Sequence, residues 1–325
     1  MNNLEENIKL TKFEQKKAQK KIVILILFLI IFSCLGIFCL YLIDKFLKND
    51  PNYVFYFFGS FLCLFLILWN TFCWTYIDIT HNYKTFYKNH FIKELVSFIN
   101  NDFIYSSYKA PFCIDFNAIG PYSNMFREDF IGGKYKGINF VMCELIKKKE
   151  DLYLKSDILK TILIAKKLFD LALNIPETAE VLICDFYKNI NCDIAIVSKE
   201  FGKPLGSKVE ILDNINFNKE FNVFSDDEIM ARYFLVPNLM EKLYELKKSG
   251  KYGLVNAGII KNQFFLFLGT NKNKFETSLL FDTPTIELAE HYKAEILEIL
   301  SVIDELNLTL NIYPKTVLKN QKLTR

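Results

Sequence analysis

Histidine is scarce in this sequence: His81, His90 and His291 are the only three in 325 residues. None of the eight cysteines forms a C-x-x-C pair. A zinc site of imidazole and thiolate ligands is therefore hard to assemble, and the sequence assigns no metal, cofactor or catalytic residue. Arginine is equally thin, with Arg127, Arg232 and Arg325 among 40 basic residues. Net charge is only +3, with lysines and carboxylates interspersed, so the electrostatic footprint of a nucleic-acid binder is missing. Phosphate-cradling loops are missing too. Gly132, Gly133 and Gly137 are not followed by Lys-Ser/Thr and a helix, and in GKPLGSK (Gly202 to Lys208) the lysine does not follow the second glycine, so both stretches are read as turns.

Charge is absent altogether from two long runs near the start. Ile22 to Ile43 is uncharged over 22 residues, and at 1.5 Å per residue it spans roughly 33 Å, enough for a hydrocarbon core of about 30 Å. Tyr53 to Ile77 is uncharged over 25 residues, with Tyr53, Tyr56, Trp69, Trp74 and Tyr76 toward its ends as in interfacial belts. A transmembrane hairpin over 22–77 is expected, with spans 22–43 and 53–77 joined by a short loop around Asp44 to Pro51. A cleaved signal peptide would need an apolar core of about 7–15 residues, which the first run exceeds. Lys9, Lys12, Lys16, Lys17, Lys20 and Lys21 precede the first span and Lys84, Lys88 and Lys93 follow the second, whereas the loop has only Lys45 and Lys48. The positive-inside rule then puts a basic tail (1–21) and the body in the cytoplasm, giving a multi-pass protein of the cytoplasmic (inner) membrane with both termini inside.

The body reads as α+β, antiparallel β-hairpins packed with helices. A connector helix is expected over 78–100, from Phe86, Phe91, Ile92, Leu95, Val96 and Ile99 at helical spacing, then a domain over 101–310 and a flexible basic tail over 311–325. Asn101 to Arg127 reads as an irregular link or edge strands. Three hairpins follow: one in Asp129 to Leu145, a second pairing Val181 to Asp185 with Asp193 to Val197, and a third pairing Tyr252 to Ile260 with Gln263 to Leu268 about Lys261-Asn262. A core helix is read in Ser156 to Leu173. Ser225-Asp226-Asp227-Glu228 has the form of a capping box, with Ser225 as N-cap and Glu228 at N3, and Pro237 falls in the first turn of a further helix. A last helix opens at Thr283-Pro284 and aligns Tyr292, Ile296, Leu300, Ile303 and Leu306 along one face. Cys113, Cys143, Cys184 and Cys192 are read as buried small hydrophobes, and the basic clusters Lys147 to Lys149 and Lys166-Lys167 as solvated faces or, alternatively, lipid contacts.

Three blocks carry a resemblance: EDFIGGKYKGINFVMCEL (Glu128 to Leu145), FNKEFNVFSDDEIMARYFLVPNLMEKL (Phe217 to Leu243) and NQFFLFLGTNKNKFETSLLFD (Asn262 to Asp282). They resemble the bacterial family called domain of unknown function 3137. The resemblance implies a pair of membrane spans followed by a cytoplasmic body, and it brings no reaction, ligand or catalytic residue.

Three functions are weighed, the third a transporter, for which two uncharged spans provide no polar path unless they oligomerise. The first is a membrane-anchored interaction or scaffolding module, with the bilayer and a protein partner or a second copy as its contacts, and no nucleic acid or metal. The second is an enzyme on a lipid or membrane-bound substrate, with Asp226, Asp227 or Asp129 as acid/base groups. Against the enzyme, Asp226, Asp227 and Glu228 sit where a helix dipole favours carboxylates in any case. Arg232 is read as a structural partner of a carboxylate or the backbone, so Arg232→Lys is expected to lower thermal stability.

Overall fold

The structure, a computed structural model, describes residues 2–46, 51–108, 126–147, 177–186, 190, 192–200, 214–260, 262–270 and 272–308. The Ser156–Leu173 helix, the Gly202–Lys208 turn, Lys148, Lys149, Lys166, Lys167 and the 311–325 tail lie outside the described residues. The chain divides into two compact units, Met1–Leu95 with Glu276–Ala289 and Val96–Phe275 with Glu290–Arg325.

The first unit holds α1 (Asn2–Phe46) and α2 (Pro51–Tyr87). Neither contains an interior proline, and the absence of charge across each apolar run leaves no residue that would prefer water to continued helix. The basic tail is helical with the first apolar run, so the two form one continuous helix. Likewise the expected connector is not a separate helix: α2 runs through the residues after Ile77 into a π turn at Lys88–Ile92 and then α3 (Lys93–Ile99). Two helices are long and apolar enough to cross a membrane, in Asn3–Cys39 and Phe61–Ile99. Their most apolar windows are 11% and 0% buried, whereas the core helix of a water-soluble protein would be mostly covered.

The segment 276–285 is fastened to the polar parts of these helices. Gln15 Nε2 donates to the carbonyls of Leu279 at 3.1 Å and Asp282 at 2.5 Å, and Gln19 Nε2 donates to Leu279 at 2.9 Å. Glu276 takes ion pairs from Lys84 and from Lys88, the latter at 3.1 Å.

The second unit is built on an eight-stranded antiparallel sheet among the described residues. Its strands are β1 (Ile104–Ser106), β2 (Phe126–Tyr135), β3 (Ile138–Ile146), β4 (Thr178–Asp185), β5 (Ile194–Ser198), β6 (Phe221–Ser225), β7 (Leu254–Ile260) and β8 (Gln263–Thr270), in the order β1-β2-β3-β4-β8-β7-β5-β6. The first and third expected hairpins form. β2 turns into β3 through Lys136 (φ 49°) and Gly137 (φ 88°), and β7 meets β8 at Asn262 (φ 61°). Two successive positive φ values at the first turn match the right-handed strand twist, and Gly137 supplies one without a Cβ penalty. The second expected hairpin does not form. β4 pairs with β3 and β8, β5 with β6 and β7, so both strands exist but belong to different halves of the sheet. β4 is buried along seven consecutive positions, and a strand covered on both faces needs two long partners, which β3 and β8 provide and the five-residue β5 does not.

One face of the sheet carries Phe130, Val141, Cys143, Leu145, Ala179, Val181, Ile183, Leu254, Phe265 and Phe267 as a single buried cluster. Cys143 and Cys184 are buried and unbridged, as expected of small apolar side chains, and burial pushes the Cys143 thiol up to about 12.

Four more helices complete the described chain: α4 (Ile215–Glu220), α5 (Glu228–Phe234), α6 (Pro237–Lys248) and α7 (Ile286–Leu308). The capping box is displaced from its expected place. Asp227, not Ser225, is the N-cap of α5, accepting from Met230 N at 3.0 Å, while Ser225 ends β6 and its Oγ accepts from Asp227 N at 3.2 Å. The ladder between β5 and β6 runs through Ser225, so the helix cannot begin until the strand has let go. The start of α7 is displaced in the same way, with Thr285 Oγ1 accepting from Leu288 N at 3.1 Å in place of an opening at Thr283-Pro284. Pro237 does lie in the first turn of α6, and Tyr292, Ile296, Leu300, Ile303 and Leu306 are all buried.

Candidate functional site

Of the carboxylates weighed from the sequence, Asp226 and Asp227 are exposed and Asp227 is spent on the α5 cap. Asp129 is different: it is 1% exposed and its φ is 54°. Positive φ is uncommon outside glycine, and Asp is among the residues that tolerate it. The cause is a β-bulge, a register shift in the β2–β3 ladder between Glu128 and Ile131. In an unbroken strand, consecutive side chains point to opposite faces, so Glu128 and Asp129 would be separated by the sheet. The bulge re-aims one of them. Asp129 N donates to Ser107 O at 3.0 Å, and the hydroxyl of Tyr105 on β1 donates to Asp129 Oδ1.

Register supplies the third carboxylate. Glu128 lies directly opposite Glu144 on β3, and Glu144 directly opposite Glu180 on β4. Three like charges in one row across three strands would oppose pairing in any exposed sheet. Here Glu128, Glu144 and Glu180 are all buried. One carboxylate oxygen from each of Glu128, Asp129 and Glu144 lies within 4.8 Å of the others.

Their polar partners come from the segment after β8. Asn273 Nδ2 donates to Glu128 Oε1 at 3.1 Å, and Lys274 N donates to Glu144 Oε1 at 3.0 Å. The Lys274 ammonium pairs with Glu180 and, at 3.3 Å, with Glu295 on α7. Burial opposes the charge on Lys274, but the two glutamates outweigh it and hold the ammonium above the usual lysine range. That cation is thus engaged beside the cluster. Burial pushes Glu144 up to about 8; the Lys274 amide works against this, and Glu180, Asp129 and Glu128 reinforce it. Burial also raises the Tyr105 phenol, and Asp129 adds to the effect, so Tyr105 serves as a neutral hydrogen-bond donor.

Chemically the arrangement is an all-oxygen donor set of high negative charge density, suited to holding a proton or a hard cation. Sequence reasoning singled out Asp129 but missed Glu128, Glu144, Asn273 and Lys274. The available signal was the alternation in EDFIGGKY and VMCELI, where acidic residues interrupt otherwise apolar strands. The histidines stand apart from this site: His81 and His291 are exposed, and His90 stacks on Phe86 at 3.9 Å.

No curated protein and no solved structure gives a significant match. A family model does. Residues 180–308, from β4 through α7 and including Glu180, Asn273 and Lys274, match the model described as "Protein of unknown function (DUF3137)". Two of the three resembling blocks fall inside that range, and over those residues the chain is similar to the DUF3137 family.

Proposed function

We propose that this is a membrane-tethered interaction module. α1 and α2 cross the cytoplasmic membrane as a hairpin, both termini face the cytoplasm, and the body offers a surface to a protein partner. The observation that carries the reading is the exposure of large apolar side chains along both helices, among them Ile24, Ile31 and Ile37 on α1 and Leu66, Ile67 and Trp74 on α2. Each full burial of such a side chain gains about 1.5–3 kcal/mol, which water withholds and lipid supplies. The lysine distribution favours an inside tail.

Two further features support contacts at the membrane and beyond it. Gln15 and Gln19 fasten Leu279–Asp282 just before the apolar run begins at Ile22, and Leu280 and Phe281 stand 47% and 85% exposed there. At 1.5 Å per residue, three to seven helical positions place them roughly 5–10 Å from the run, within the headgroup layer. On α5, Ile229 and Tyr233 form an exposed apolar pair at i and i+4. This pair is the surface offered to a partner.

Reporter fusions at each terminus and a photo-crosslinking residue at position 229, used in intact membranes, test the reading. Cytoplasmic signal at both ends and one reproducible protein adduct are expected. A terminus on the outer side, or crosslinking no stronger than from exposed Lys199, overturns it. The enzyme reading retains support only at Asp129, since Asp226, Asp227 and Glu228 lie exposed at the start of α5.

A further inference from the structure

We infer that α2 pairs with α2 of a second copy inside the bilayer, through the face that carries Asn70. The inference rests on the membrane reading above and adds to it a surface and an occupant.

One side of α2 is taken by α1. Phe32 stacks on Phe61 with ring centroids 5.5 Å apart, and a Cβ added at Gly36 would strike the Phe61 ring. Phe65, Leu68, Phe72 and Tyr76 continue that half-buried side at helical spacing. Asn70 lies nine positions after Phe61, about two and a half turns, so it stands on the opposite side. Cys63, Ile67, Trp74 and Ile77 share that side with it and are exposed. Further back on the same face, Gly59 has open space where a Cβ would stand, which leaves room for a close backbone approach.

The chemistry of Asn70 sets what this face needs. It sits seven positions inside the end of the uncharged run at Ile77, roughly 10 Å along the helix, farther than its short side chain reaches. Ser33, Thr71 and Thr75 satisfy their hydroxyls on the carbonyls of Leu29, Ile67 and Thr71, at 2.8, 2.9 and 2.7 Å. Asn70 makes no such bond among the described residues. Its carboxamide oxygen needs a donor, and the N–H groups in the middle of a helix are already spent on the backbone ladder. Hydrocarbon offers none, and an amide left unbonded there is heavily penalised.

A second copy supplies the donor by symmetry. Its α2 enters the bilayer in the same direction and sets an identical carboxamide at the same depth. A two-fold axis along the membrane normal then lets each Asn70 Nδ2 donate to the partner's Asn70 Oδ1. A carboxamide is its own complement, donor and acceptor together, whereas an acyl chain is neither. Contacts of this kind hold membrane helices together and fix their register.

The test takes the full chain, labelled at the C-terminus with donor or acceptor fluorophore, in vesicles of phosphatidylethanolamine and phosphatidylglycerol at rising dilution in lipid. Wild-type chains are expected to show energy transfer that saturates as a dimer. Asn70→Leu is expected to raise the dissociation constant about tenfold, and Asn70→Gln, which keeps the carboxamide, to hold it within about threefold of wild type. A photo-crosslinking residue at position 63 is expected to give an adduct of twice the chain mass, and one at position 64, about 100° round the helix, to give far less. A carbonate wash of the same vesicles separates this inference from the reading beneath it. Protein released by the wash ends both. Protein that stays but transfers no more than randomly mixed chains, Asn70→Leu chains that pair like wild type, or equal adduct yields from positions 63 and 64 overturn the pairing alone.

Discussion

The ion pairs of Arg232 with Glu228 and of Lys88 with Glu276 differ in weight, and burial is the reason. Arg232 sets Nε at 3.1 Å and Nη2 at 2.7 Å on one oxygen of Glu228, but both side chains are over two-fifths exposed. Exposed i,i+4 pairs contribute about 0.3–0.5 kcal/mol. Arg232→Lys should therefore lower stability by roughly 0.5 kcal/mol on account of this pair in urea unfolding, in the direction expected from the sequence. Lys88 is the opposite case, 4% exposed in its side chain and paired with Glu276. Glu276→Gln strips a buried ammonium of a carboxylate and should cost on the order of 2–3 kcal/mol, below the roughly 3–5 of a fully buried pair because Glu276 is part-exposed. The effect has a pH signature. Burial raises the Glu276 carboxyl, but Lys84 and Lys88 outweigh it and hold it below the ordinary glutamate value. Its contribution is thus complete above the unfolded value near pH 4.5 and is lost as pH falls through the lower folded value. The Tm gap between wild type and Glu276→Gln, followed from pH 6 to pH 3, should close below about pH 4.5.

At the scale of strands and helices, a glycine lets β7 pack closely against β5. A Cβ on Gly258 of β7 would stand 2.2 Å from the Ile194 carbonyl of β5, a backbone atom that cannot swing aside. Gly258→Ala should therefore part β5 and β6 from the rest of the sheet, at about 3 kcal/mol by denaturant titration, with hydrogen exchange in 194–198 and 221–225 rising first. The same element explains why the capping signal was misplaced by two residues. Ser225 has the chemistry of an N-cap, but its backbone is committed to the ladder with Ile194. Local propensity named the helix correctly and long-range pairing decided where it begins.

For the whole molecule, two apolar helices precede the stretch 180–308 that is similar to the DUF3137 family. The full chain should stay in the membrane fraction through an alkaline carbonate wash and leave it only with detergent; release by carbonate alone would contradict spanning helices. The sequence by itself determined the elements whose signal is local: uncharged length for α1 and α2, turn chemistry at Lys136-Gly137 and Asn262, and the buried stripe of α7. The tertiary structure alone decided which strands pair. β4 and β5 are neighbours in sequence yet stand apart with β8 and β7 between them, because burial on both faces selects partners by length and apolarity and not by proximity along the chain. It also assembled the carboxylate cluster. Glu128 and Glu144 are 16 positions apart and meet only through register, and Asp129 joins them only through a bulge that no periodicity in the sequence announces.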